Sequence, residues 1–227
     1  MAATGGDGVT GLAQTVSERE TLQGAHPSSR ALSAAITGLV QEVFDQLISR
    51  GVRGLAICGV AEGDGVSFVA ARLATALARS GVTTLLIDAN LRAPGQRAHF
   101  PDAVEPTLGL IDLVSRPGVD PEAVIVPNVR PGLSVVFGGA PIPGVDDALS
   151  QSAFAGFVER CLRTFEFVVF DTPPANQTPD ALRIARLAGY ALLVVRRDQT
   201  FVSDLNHFIE ELRDQGATII GSLLNEG

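Results

Sequence analysis

A chain of 227 residues, 46% hydrophobic, can bury one good-sized core and fits a single α/β domain better than two. Its formal net charge of -8 argues against a broad nucleic-acid-binding face, so a nucleic-acid partner is not expected. No apolar run approaches the roughly 18 residues of a membrane span, and the N-terminus lacks the charged-then-apolar pattern of a signal peptide. A cytoplasmic protein is expected, with any membrane role exercised through a partner.

Residues 1–29 are rich in Gly, Ala, Ser, Thr and Gln and poor in large apolar groups, and are read as a mobile, disordered tail. A single domain is expected over 30–227. It opens with an amphipathic helix, because Leu32, Ile36, Leu39, Val40, Val43 and Leu47 recur at three- and four-residue spacing. Short apolar runs then predict strands at Leu55 to Cys58, Thr83 to Ile87, Leu133 to Phe137, Phe167 to Phe170, Ala191 to Val195 and Thr218 to Leu224. Helical patterns fall near 67–79, 146–164, 179–188 and 201–215. Continuous apolar strands alternating with helices predict a doubly wound, mainly parallel sheet covered on both faces. Segment 93–131, with its many Pro and Gly residues, reads as an excursion with short helices above the carboxyl ends of the strands.

The chemistry concentrates after the first predicted strand. Gly63-Asp64-Gly65-Val66-Ser67 joins it to a helix, where glycines let backbone N–H groups converge on phosphate oxygens and a hydroxyl helps to hold magnesium. A phosphate-binding loop also carries a lysine, and here Val66 stands in that position; all 17 basic residues of the sequence are arginine. Gly59 lies one residue too far upstream for strict G-x-x-x-x-G spacing, and a glycine-rich turn by itself is common in α/β proteins. Two further strands, however, end in carboxylates, Asp88 and Asp171, which places both at the same sheet edge as the loop. Cys58 and Cys161 have neither metal-ligand nor disulfide spacing and read as small core residues, while His26, His99 and His207 read as surface or loop residues.

These segments resemble the bacterial tyrosine autokinases of exopolysaccharide biosynthesis (BY-kinases of the CpsD/CapB type), relatives of the MinD/ParA ATPases. The family's G-E-G-K-S/T corresponds to Gly63 to Ser67, its L-I-D-A-D-L-R-x-P to Ile87-Asp88-Ala89-Asn90-Leu91-Arg92-Ala93-Pro94, and its D-T-P-P to Asp171 to Pro174. Gly109 to Val114, Gly138 to Ser150 and Gly221 to Asn225 extend the similarity over roughly residues 50–227. The resemblance implies a P-loop NTPase-like fold and binding of ATP or ADP through Gly63, Asp64, Gly65, Val66, Ser67, Phe68 and Asn225. It also implies magnesium at Ser67, Asp88 and Asp171.

The departures from the family pattern predict a weakened site. Val66 removes the phosphate-neutralising cation, and loss of a preorganised transition-state stabiliser costs roughly 100- to 1000-fold in rate. Asn90 replaces the second carboxylate of L-I-D-A-D. The sequence's one tyrosine, Tyr190, opens a predicted strand, and no tyrosine tail is expected after Gly227. Ser28 to Arg50 carries no clear E-x-x-R-x-x-R helix, which leaves homo-oligomer and monomer both open. Arg92, Arg196 and Arg197 read as solvated charges, and Glu62, Asp64, Asp88 and Asp171 as acids around a site without its cation. The resulting expectation is a catalytically impaired, pseudokinase-like partner of a membrane polysaccharide co-polymerase, held at the inner face of the cell membrane. An active ATPase or tyrosine kinase using an arginine is the alternative, and a MinD/ParA-like positioning ATPase ranks third.

Overall fold

The computed structural model describes residues 14–16, 27–141, 149 and 152–226. In chain order the elements are β1 (Gln14–Val16), α1 (Pro27–Gln46), β2 (Gly54–Gly59), α2 (Val66–Arg79), β3 (Thr84–Asp88), α3 (Gln96–His99) and α4 (Leu110–Ser115). There follow β4 (Ile125–Arg130), β5 (Leu133–Val136), α5 (Ser152–Thr164), β6 (Phe167–Asp171), α6 (Asp180–Ala188), β7 (Tyr190–Arg196), α7 (Val202–Asp214) and β8 (Thr218–Asn225). The eight strands form one sheet in the order β1-β8-β7-β2-β6-β3-β5-β4, parallel throughout except that β4 runs antiparallel to β5. The expected doubly wound sheet is thus present, with β2 near its centre.

Continuous apolar strands arise because alternate side chains enter two different cores. Leu55 and Ile57 of β2, Leu86 of β3 and Phe167 and Val169 of β6 pack with Val43 of α1, Leu47 just after it, and Leu73 and Leu77 of α2. Ala56, Cys58, Leu85, Ile87, Val168 and Phe170 face the other way, toward Leu110, Phe154, Ile184 and Phe208 of the later helices. Each fully buried Leu or Phe contributes roughly 1.5–3 kcal/mol, so the central strands cannot slide without large loss. Their carboxyl ends are a fixed rim, and on that rim Asp88 of β3 stands in register with Asp171 of β6.

Two expectations need correction. The segment read as a tail contains β1, paired in parallel with β8, and α1 begins at Pro27 rather than Arg30. The excursion over 93–131 contains, besides its short helices, the strand β4, whose pairing shifts between Val126 and Arg130. Pro127 and Asn128 (φ 53°) hide this strand from a sequence reading, since proline is tolerated only at an edge, and β4 is the edge. The predicted helix over 146–164 begins at Ser152, and most of 138–150 lies outside the described residues.

Candidate nucleotide and metal site

The loop between β2 and α2 turns through two left-handed glycines, Gly63 (φ 84°) and Gly65 (φ 95°), and Gly65 caps α2. Any other residue there would be strained by roughly 1–2 kcal/mol. Asp64, expected among the acids around the phosphates, is instead buried and holds the loop together. Its Oδ2 accepts from the Val60 and Ala61 N–H groups, each at 2.9 Å, and its Oδ1 accepts from the Thr200 hydroxyl at 3.0 Å. Asn225 acts in the same way, donating from Nδ2 to the Asp64 carbonyl at 3.0 Å. Gly59 makes the fold-back feasible: a Cβ there would lie 2.6 Å from Val66 Cγ2 and 3.1 Å from Asp64 Cβ. Its position outside the strict motif therefore conceals a packing role. Val66, the first residue of α2, is itself 9% exposed.

Ser67, Asp88 and Asp171 meet beside this loop, and Gln96, not singled out by the sequence, sits among them. Gln96 donates its backbone N–H to Asp88 Oδ2 at 2.9 Å and its Nε2 to Asp171 Oδ2 at 2.7 Å and to the Ser67 carbonyl at 3.0 Å. Asn90 stays close by, its N–H 3.3 Å from Asp88 Oδ1. Burial pushes the Asp171 carboxyl up to about 6, against the lowering effect of the Gln96 hydrogen bond and the Ser67 side chain. Asp88 is raised well above the usual carboxylate range, first by burial and then by the charge of Asp171. Two buried acceptors, Asp171 Oδ1 and Gln96 Oε1, have no partner. Crowded carboxylates, orphaned oxygens and an adjacent hydroxyl fit a divalent cation, which prefers oxygen ligands and would return both acids to their ionised forms.

A cavity of about 430 Å³ opens over the loop, lined by Glu62, Gly65, Val66, Ser67, Asn90 and Thr172, with Phe68 and His99 on its wall. Phe68 and His99 meet edge to face with centroids 6.2 Å apart, and the Arg72 guanidinium lies 5.2 Å over the Phe68 ring. His99 is thus a half-buried cavity residue rather than a surface one; burial, then Arg72, lowers its pKa. His207 is exposed on α7, as expected, and His26 lies outside the described residues. Cys58 and Cys161 are buried free thiols, both pushed up to about 12, chiefly by burial, which fits their reading as core residues. Of the arginines read as solvated, Arg197 pairs with Glu226 and Arg92 is exposed. Arg196 departs from that reading: its Nη1 donates to the Gly63 carbonyl at 2.8 Å.

A mainly parallel sheet, a glycine loop leading into a helix N-terminus and two strand-end carboxylates on one rim define a P-loop NTPase-type domain. No family model matches the chain. It is 30% identical over 172 residues to the tyrosine-protein kinase CpsD of Streptococcus agalactiae, covering 76% of this chain and 73% of that protein. To the tyrosine-protein kinase Ptk of Acinetobacter johnsonii it is 31% identical over 199 residues, covering 88% of this chain and 26% of Ptk, so it spans about a quarter of that relative. Among solved structures it is similar to the chimerical protein CapA2B2, with a TM-score of 0.78 at 25% identity over 96% of this chain and 95% of that one. The septum site-determining protein MinD from Pyrococcus horikoshii, solved with Mg-ADP, shares the fold at a TM-score of 0.65 and 19% identity over 76% of this chain and 70% of that one. The chain belongs to the bacterial tyrosine-kinase (BY-kinase) family.

Proposed function

We propose that this protein binds ATP or ADP with magnesium but is impaired in phosphoryl transfer, and that it works as a conformational partner in exopolysaccharide biosynthesis or export. The observation that carries this reading is the loop itself. Its glycine turns, its Asp64 bracing and Ser67 are intact, while Val66 holds the lysine position in a sequence without lysine. Gly63, Gly65 and the N-terminus of α2 would receive the phosphates, and Ser67, Asp88 and Asp171 would hold magnesium. The metal supplies charge neutralisation at the phosphates. With no acidic residue in the first turn of α2, the helix end favours anions, yet a backbone dipole does not replace a full positive charge at a developing transition state.

In this reading the protein is recruited to the inner face of the membrane by a polysaccharide co-polymerase. Support comes from its family membership and from the described residues, among which no helix is long and apolar enough to cross a membrane. Binding of ADP in magnesium together with the absence of ATP turnover, using Asp171→Ala as the background control, tests the proposal. Turnover that Asp171→Ala abolishes would instead support the alternative, an active ATPase or kinase using an arginine, which the Arg196 contact to Gly63 favours.

A further inference from the structure

We propose that Arg196 is the phosphate-directed cation of this site, delivering from the end of β7 the charge that position 66 does not carry; this rests on the nucleotide reading above. β7 is the direct neighbour of β2, with Val194 in register with Gly59, so Arg196 emerges two residues further on beside the loop. Its Nη1 lies 2.8 Å from the Gly63 carbonyl oxygen and 3.1 Å from where a Cβ on Gly63 would stand. The absent side chain of Gly63 therefore gives the guanidinium its place as well as the loop its turn.

The backbone beneath Arg196 is tied to the same loop. Its N–H donates to Thr200 Oγ1 at 3.0 Å, and that hydroxyl donates to Asp64 Oδ1. Across the sheet Arg196 is in register with Asn225, which donates to the Asp64 carbonyl. Turn, loop and final strand are thus hydrogen-bonded to one another, and the arginine emerges from them beside Gly63.

The guanidinium bonds a neutral carbonyl. By contrast Arg97, Arg116, Arg163, Arg183 and Arg197 each face a carboxylate that offsets their charge. Exchanging a carbonyl for a phosphate oxygen converts a neutral-acceptor bond into a charge-assisted one, and the planar fork suits bidentate capture of phosphate. Arg72, a rival behind Phe68 of the cavity wall, is engaged over that ring.

Calorimetric titration with ADP in magnesium buffer at several salt concentrations, with folding of each variant checked by thermal melting, tests the assignment. Arg196→Gln is expected to weaken ADP binding at least roughly tenfold and to flatten its salt dependence. Arg196→Lys, which keeps the charge without the fork, should retain the salt dependence and part of the affinity, and Val66→Lys in the Arg196→Gln background should restore binding. Unchanged binding and salt slope in Arg196→Gln, or a comparable loss in Arg196→Lys, overturns the proposal, as does a tenfold loss in Arg72→Gln with Arg196→Gln unaffected. Wild-type protein that binds no ADP overturns both this proposal and the nucleotide reading, whereas the variant outcomes bear on Arg196 alone.

Discussion

Val66 and Asp171 mark the two ends of the site's charge imbalance. A lysine at position 66 would place an ammonium where the loop presents its N–H groups, and a charge-assisted hydrogen bond is worth roughly 1.5–3 kcal/mol. Val66→Lys is accordingly expected to tighten binding of an ATP analogue about 10- to 100-fold by calorimetry in magnesium, and to restore turnover far less, because Asn90 still lacks a carboxylate. Micromolar binding by wild type with no gain from lysine would refute the impaired-loop reading. Asp171 carries a pH signature. Its folded-state pKa, raised from 3.8 to about 6, means that the native protein holds this proton more tightly than the unfolded chain. The associated stability is fully present below about pH 4 and is lost as pH rises through about 6. In metal-free buffer, stability attributable to this group should therefore fall by a few kcal/mol between pH 4 and 7, and Asp171→Asn should flatten that part of the profile in urea denaturation.

At the scale of elements, the loop is stable because its neighbours brace it. The β2–α2 loop, the turn after β7 and the end of β8 converge on Asp64, whose side chain satisfies two backbone N–H groups and the Thr200 hydroxyl. Asp64→Ala takes this partner from the buried Val60 N–H and from the part-buried Ala61 N–H and Thr200 hydroxyl, at a cost of roughly 2–4 kcal/mol. Chemical denaturation should register that loss, and a change below about 1 kcal/mol would mean that the loop holds its shape without the brace. α3 has a comparable role on the other side of the site. Only four residues long, it brings Gln96 between Asp88 and Asp171, where its backbone N–H donates to Asp88 and its side-chain Nε2 to Asp171.

Across the whole molecule, the sheet separates the sequence's one tyrosine from the loop. Tyr190 opens β7 while Arg196 ends it, so the phenol's backbone lies about 20 Å along the strand from the loop rim at roughly 3.3 Å per residue. It is half-buried and in register with Thr218 of β8. Incubation with Mg-ATP is expected to leave Tyr190 unmodified by mass spectrometry, and phosphotyrosine at that position would contradict the placement of chemistry at the opposite end of the strands.

The sheet, the loop and the two strand-end acids are legible in the sequence, since continuous apolar strands, paired glycines and an acid closing each of β3 and β6 are local patterns that physical chemistry constrains strongly. The absence of lysine is equally plain there, so that any cation at the site must be an arginine. The direction in which each polar group turns follows from long-range packing. Asp64 and Asn225 face inward to brace the loop, Gln96 enters from 29 positions beyond Ser67, and Arg196 reaches Gly63 from 133 positions away. β1 and β4 are likewise decided by pairing: three residues in a polar stretch and an edge strand interrupted by Pro127 become strands only because a neighbouring strand offers them partners. Periodicity records which face of an element is buried, but the meeting of residues far apart in sequence follows from the order in which the strands pack.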